Sequence, residues 1–369
     1  MFMKKFNLLL RFGTLAAITG LIAATFSCQD HRIPLPGQVI QSTGPKPDWG
    51  PTITPQMLAV IEELGRLAPA PLESLTPAQA RSRPSFKDAV TSLLDKNNIA
   101  PPVANVTISE RMIPGYGGVP LRAKIYTPNG VTGPLPVIVY FHGGGWVIAN
   151  ADVYEYSTLA LAQGTGAVVV SVDYRLAPEN KFPTAHQDAF AAYKWVKMNA
   201  GLLNGNSAKV AVAGESAGGN MAITVSMMAR DSSVSLPVHI LSVFPVADNN
   251  LHTYSYDLYA NARPLSRPAV QWFVDKYFNT PADGDSPLIS LVDAANLRGL
   301  PPTTIIGAEI DPLQTEGMLL RDKLQSVGVP VTYQLYRGIT HEFFGMYAIL
   351  PEAQQAQALA ATQLINAFR

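Results

Sequence analysis

From Val106 onward, short apolar runs alternate with longer stretches of helical periodicity. The runs "LRAKIYTP", "PVIVYFHG", "AVVVSVDYR", "KVAVAGES", "VHILSVFPV", "TTIIGAEID" and "VTYQLYRG" are rich in β-branched and aromatic residues. Several are apolar nearly throughout, as strands buried on both faces should be. Helical patterns fall between them over 154–163, 184–199, 217–230 and 313–326. This alternation predicts a layered α/β domain with a mostly parallel sheet over 106–369. The pattern before it differs. "TPQMLAVIEELGRLA" puts Met57, Val60, Ile61 and Leu64 on one helical face, with Thr54 placed to cap it and Pro55 at the first helical position. No strand candidate interrupts the region up to Asp95, so 51–105 reads as a small helical cap. A second break lies at Ala247–Tyr277, which is polar, aromatic and partly helical. It predicts an insertion over the sheet, spanning 247–280.

The N-terminus has a layout of its own. "MFMKKFNLLLRFGTLAAITGLIAATFSC" carries Lys4, Lys5 and Arg11, then an uncharged run from Phe12 to Ser27. A basic start, a short apolar core and small residues predict a signal peptide over 1–27 and an exported protein. The run is short for a bilayer span. The one cysteine, Cys28, follows it directly and has no partner for an internal disulfide. Ser27-Cys28 resembles the cleavage point of a bacterial lipoprotein signal, so a periplasmic protein or a cell-envelope lipoprotein lipidated at Cys28 is expected, with ordinary secretion or a retained N-terminal anchor as the alternatives. The Pro- and Gly-rich polar stretch after it predicts a tether over 28–50.

Composition adds mainly exclusions. The chain has 369 residues, 47% hydrophobic and 15% charged, with 27 Lys+Arg against 27 Asp+Glu. That is a globular balance, with no electrostatic footprint for a nucleic acid partner.

Chemistry concentrates at the ends of the predicted strands, where open α/β sheets bind ligands. In "KVAVAGESAGGN", Ser216 sits between a strand and a helix with Gly214, Gly218 and Gly219 around it. The pentapeptide G-x-S-x-G in that context is the sharp turn that exposes a nucleophilic serine. A neutral serine hydroxyl needs a base, an acid to orient the base, and donors for an oxyanion. Three histidines follow it: His239 in an apolar run, His252 in the insertion, and His341 in the loop "ITHEFFG" after the last strand. The last is the expected base. The acid should end the preceding strand, which favours Asp311, with Glu309 as its competitor two residues earlier. In "YFHGGGWV", Gly143, Gly144 and Gly145 follow a strand and match the loop whose backbone N–H groups form an oxyanion hole, together with that of Ala217 after the serine. The glycine run lacks the Lys-Ser/Thr ending of a nucleotide loop.

"HGGGW", "VDYRLAPENKFPTAHQDA", "GESAGGN", "DPLQTE" and "HEFF", in this order, resemble the bacterial esterases related to hormone-sensitive lipase, within the α/β-hydrolase superfamily. The resemblance runs from about Val106 to the C-terminus. It implies an α/β-hydrolase fold, a Ser216, Asp311 and His341 triad, and oxyanion donors from Gly144, Gly145 and Ala217. It also implies a lid built from the N-terminal helices plus the insertion, and a small-molecule ester substrate with no metal or cofactor. Two positions depart from the commoner family pattern. Glu215 stands where Asp or Thr is frequent, and Glu342 where Gly is frequent. They are expected either to tune the His341 loop together or to be solvated loop carboxylates. The expected activity is carboxylic-ester hydrolysis, with short acyl chains favoured. An amide hydrolase or acyltransferase on the same triad, or a non-catalytic binding protein of the same fold, stand as rivals.

Overall fold

The computed structural model describes residues 40–369. The signal peptide, Cys28 and the first part of the expected tether lie outside the described residues. The strands are β1 (Val106–Pro114), β2 (Pro120–Pro128), β3 (Leu135–Phe141), β4 (Val168–Val172), β5 (Gly205–Glu215), β6 (Ile240–Val243), β7 (Thr303–Ile310) and β8 (Val331–Thr340). They form one eight-stranded sheet in the order β1-β2-β4-β3-β5-β6-β7-β8. β1 and β2 run antiparallel to their neighbours, and every pairing from β4 through β8 is parallel. This is the α/β-hydrolase arrangement.

Period-2 alternation divides the apolar residues between two cores, one on each face of the sheet. Val137, Val139 and Phe141 of β3 face the first core with Val210 and Val212 of β5. Ile138, Tyr140, Ala211 and Ala213 face the second. The covered strands are therefore largely apolar on both faces, which is why they read as near-continuous runs.

The helices are α1 (Pro55–Leu67), α2 (Pro77–Ser82), α3 (Phe86–Lys96), α4 (Glu155–Thr165), α5 (Thr184–Asn199), α6 (Ala217–Asp231), α7 (Tyr254–Leu258), α8 (Arg267–Tyr277), α9 (Gln314–Ser326) and α10 (Pro351–Ala367). Local chemistry sets the early starts. Thr54 Oγ1 accepts from the Met57 N–H at 3.3 Å ahead of α1. Ser85 and Asp88 make a reciprocal capping box at α3. Among the described residues, no helix is long and apolar enough to cross a membrane.

Three expectations change in the structure. Residues 40–50 are not a free tether. Ile40 and Gly50 are buried, Trp49 packs on the second core, and Glu62 of α1 accepts from the N–H groups of Thr43 at 2.8 Å and Gly44 at 2.7 Å. A polar, Pro-rich composition was enough to suggest a linker, but two apolar residues and one glutamate dock it. The N-terminal helices, expected as a cap, are also built into the body of the protein, because Met57, Val60, Val90 and Leu94 share the second core with Ile138 and Tyr140. The sheet-free segment after β6 runs on to Thr303, well past 280. It contains α7, α8 and a tight helical turn at Pro281–Asp285.

Candidate active site

β5 ends in Glu215 and α6 begins at Ala217, so Ser216 occupies the whole turn. Its backbone is forced to φ 56°, ψ −118°, a region that costs an L-residue about 1–3 kcal/mol. The surroundings hold it there. Ser216 N–H donates to the Val243 carbonyl at 2.9 Å, and its own carbonyl accepts from the Asn220 N–H at 3.1 Å. A Cβ on Gly218 would lie 1.9 Å from the Phe141 carbonyl oxygen, and one on Gly214 would lie 2.2 Å from the Gly218 oxygen. Glycine at these two positions is thus a steric requirement of packing the turn against the end of β3.

His341 follows β8 and is buried, as is Asp311 just past β7. His341 Nδ1 and Asp311 Oδ2 are 2.7 Å apart, the distance of a charge-assisted hydrogen bond. Asp311 Oδ1 also accepts from the Leu313 N–H at 2.9 Å. Burial alone would lower the His341 pKa. The charge and hydrogen bond of Asp311 outweigh it, aided by Glu342 and Glu215, so the imidazole sits above its ordinary value.

The competing carboxylate, Glu309, is committed elsewhere, since its Oε2 accepts from the Gly338 N–H at 2.6 Å. The competing histidines also separate. His239 is buried against Thr304, with Nε2 at 2.8 Å from Oγ1, and burial pushes its pKa down to about 4. His252 lines the cavity away from any such acid partner among the described residues. His142 stacks on Tyr174 at 4.2 Å, with Nδ1 at 2.7 Å from the Gly143 carbonyl oxygen. That fits a part in shaping the glycine loop.

Ser216 and His341 open onto one cavity of about 710 Å³, together with Gly144 and Gly145. No hydrogen bond joins Ser216 to His341 among the described residues. Such bonds are commonly long before substrate arrives. The glycine loop is folded tightly. Gly144 has φ 95°, and a Cβ there would lie 2.3 Å from the Ile148 carbonyl oxygen. A Cβ on Gly145 would strike the Phe273 ring at 2.3 Å. Ala217 brings a free N–H at the first residue of α6, where the helix dipole favours negative charge.

The cavity walls come from both helical segments. Leu64, Arg83 and Phe86 line it from the N-terminal side, and Leu265, Val270 and Phe273 from the segment after β6. Trp272 Nε1 donates to the Leu75 carbonyl at 3.0 Å and ties the two together. Of Tyr254, Tyr256, Tyr259, Trp272 and Phe273 in the latter segment, Tyr256 and Phe273 reach the cavity. Tyr254 is exposed, Tyr259 packs in the second core, and Trp272 makes the tie. Asp173, Arg175 and Glu179 have structural partners: Asp173 accepts from Arg122, Arg175 pairs with Asp188, and Glu179 pairs with Arg81.

Sequence reasoning missed two residues. Arg81 of α2 clamps the cap to the glycine loop, donating to the Val147 carbonyl at 2.8 Å and the Ala177 carbonyl at 2.6 Å. Tyr154 donates to Glu342 Oε1 at 2.8 Å. Both pair with residues far away in sequence, and nothing local marks them. Glu215 is buried, and Glu342 is mostly buried, with 13% of its side chain exposed.

The comparisons with known proteins agree with this geometry. A family profile described as an alpha/beta hydrolase fold matches residues 138–345. The Carboxylesterase NlhH of Mycobacterium tuberculosis is 36% identical over 265 residues, 71% of this chain and 83% of that protein. An Ethyl acetate hydrolase of Pseudomonas putida is 28% identical over 320 residues, 85% and 98% of the two chains. Among solved structures, a thermostable esterase from Pseudomonas putida ECU1011 superposes with a TM-score of 0.79 at 30% identity, over 89% of this chain and 99% of its own. A hyperthermophilic esterase from Pyrobaculum calidifontis gives 0.77 at 35%, over 85% and 98%.

Proposed function

The chain belongs to the α/β-hydrolase family, in the branch of esterases related to hormone-sensitive lipase, and it hydrolyses carboxylic esters; on that premise we propose that Ser216, His341 and Asp311 are its catalytic triad. The 2.7 Å contact of His341 with Asp311, on the wall of the cavity that Ser216 opens into, carries this reading. Ser216 Oγ attacks the ester carbonyl carbon while His341 Nε2 takes its proton. Asp311 Oδ2 holds the Nδ1–H tautomer and stabilises the imidazolium. The N–H groups of Gly144, Gly145 and Ala217 receive the oxyanion. The alcohol leaves with the proton from Nε2, and a water activated by the same nitrogen cleaves the acyl-enzyme.

The two helical segments act as a cap that closes the site and excludes water. Short acyl chains suit the site, because Phe273 stands directly against Gly145 of the oxyanion loop. The name of the Pseudomonas putida relative, an ethyl acetate hydrolase, points the same way. A panel of p-nitrophenyl esters is expected to give the highest kcat/KM with acetate or butyrate and to fall off at laurate. A rising series to palmitate would place the substrate among long-chain lipids instead. Matched ester and amide substrates separate ester hydrolysis from amidase action.

The same reading includes export and a lipid on Cys28. Its support is the basic, then apolar, then small-residue order ahead of Cys28. Several acyl chains on one residue anchor far more firmly than one. The full chain expressed in a bacterium should fractionate with membranes and show an intact mass beginning at lipidated Cys28. Cys28→Ser should lose both. A mature mass with neither the lipid nor a Cys28 N-terminus rules the anchor out.

A further inference from the structure

Two carboxyls, Glu215 buried and Glu342 mostly so, flank the triad without a part in the chemistry described above. Glu342 follows His341 directly and has φ 70°, left-handed backbone that favours glycine. Its side chain nonetheless turns inward. Glu342 Oε1 accepts from the Tyr154 hydroxyl at 2.8 Å and stands 3.9 Å from His341 Nε2. That is the nitrogen that takes the proton from Ser216, on the opposite side of the ring from the atom bonded to Asp311. Glu215 precedes the nucleophile, is fully buried, and accepts from the Tyr140 hydroxyl. Oε2 of each glutamate is buried with no partner among the described residues. The path is also built into the oxyanion loop, since a Cβ on Gly143 would lie 2.2 Å from the Tyr154 hydroxyl oxygen.

We propose that Glu342 is a positioning residue for the catalytic base, a second carboxylate standing by Nε2 of His341 as Asp311 stands by Nδ1, held in place by Tyr154 and backed by Glu215 and Tyr140. This rests on the triad reading of Ser216, His341 and Asp311. The imidazolium formed when Ser216 gives up its proton is then flanked by negative charge at both nitrogens. The ionisable groups around this centre are Asp311 past β7, Glu215 at the end of β5, Tyr140 in β3, Tyr154 ahead of α4 and Tyr174 after β4. Each of the three tyrosines is held neutral, first by burial and then by nearby carboxylates.

The two glutamates divide their roles. Burial first, and then the charge of Glu342, pushes Glu215 up to about 8. Glu342 is also raised by burial, but the neighbouring imidazole and the Tyr154 hydroxyl draw it back toward ionisation. Glu215 therefore keeps its proton at neutral pH. A base must be neutral to accept a proton, so kcat/KM rises with pH through the His341 pKa. An ionised Glu342 favours imidazolium and moves that acidic limb to higher pH.

The test is kcat/KM against pH for wild type, Glu342→Gln, Glu342→Gly and Glu215→Gln. It is paired with ¹⁵N NMR titration of His341 in the Ser216→Ala background, with and without Glu342→Gln. Removing the Glu342 charge should lower the limb, and the NMR pKa, by about one pH unit. Glycine suits the left-handed backbone, so Glu342→Gly should fold even if Glu342→Gln does not, and it should give the same shift. Glu215→Gln should move the limb less than either Glu342 variant, since Glu215 is the lesser influence on His341. An unmoved limb in the Glu342 variants overturns the proposal, as does a shift in the glycine variant but not in a folded glutamine variant, which would be loop geometry. A limb that follows Glu215→Gln instead puts the charge on the wrong glutamate. Retained activity in Ser216→Ala would bring down the triad reading itself. A dead Ser216→Ala with an unmoved Glu342 limb would bring down only this one.

Discussion

Ser216→Ala is expected to lower kcat for ester hydrolysis by about 10⁶-fold, the scale seen when the nucleophile of a serine hydrolase is removed. The loss should be chemical rather than structural. Ser216 Oγ makes no side-chain hydrogen bond among the described residues, so its removal leaves no buried partner unsatisfied. Alanine also meets the same φ of 56° at much the same cost. The melting temperature should stay within a few degrees of wild type, since a ΔΔG near zero moves Tm little. Substrate should still bind, because the oxyanion donors of Gly144, Gly145 and Ala217 are backbone groups that the substitution does not touch. An organophosphate should label wild type at Ser216 and leave the variant unlabelled. Label on another serine, or turnover retained by the variant, would remove Ser216 from the mechanism.

The candidate triad could be read from the sequence because each member is announced locally. Ser216 sits in glycine spacing that only a sharp strand-to-helix turn requires, and the structure gives the reason in the contact that any Cβ on Gly218 would make with the Phe141 carbonyl. Asp311 and His341 stand just after runs rich in β-branched and aromatic residues, so their place at one edge of the sheet followed from topology. The strands of the parallel core were legible for the same reason. α10 was not. Its buried face is Ala353, Ala356, Ala360 and Leu364, and alanine contrasts too little with the polar side to make a pattern. The docked segment 40–50 hid behind its prolines. Tyr154, Arg81 and the burial of the two glutamates could not be read at all. Tyr154 meets Glu342 across a sequence separation of 188, and only the folded sheet brings them together. Sequence showed that Glu215 and Glu342 were unusual. That they are not freely solvated loop carboxylates was decided by burial, a tertiary property.

Asp311→Asn is expected to lower kcat by about 10⁴-fold, while Glu309→Gln should cost far less. The geometry explains why so small a change does so much. Asp311 uses both oxygens: Oδ1 accepts from the Leu313 N–H at 2.9 Å, and Oδ2 faces His341 Nδ1 at 2.7 Å. An asparagine in the same site must keep its carbonyl oxygen on the Leu313 N–H, because its amide group cannot accept there. The amide NH₂ is then delivered to His341 Nδ1. A donor at that position forces Nδ1 to be the acceptor and moves the ring proton to Nε2, the nitrogen that has to be free to take the proton from Ser216. The base is left in the wrong tautomer in an otherwise intact site, and the imidazolium loses its counter-charge. Glu309 has no such hold on the ring, since its Oε2 is spent on the Gly338 N–H at 2.6 Å. Measured kcat values for the two variants, with folding checked by circular dichroism, decide between the carboxylates. A severe Glu309→Gln defect beside a mild Asp311→Asn defect would transfer the role to Glu309. A severe Asp311→Asn defect with Tm preserved would assign it to the residue just past β7 that orients His341.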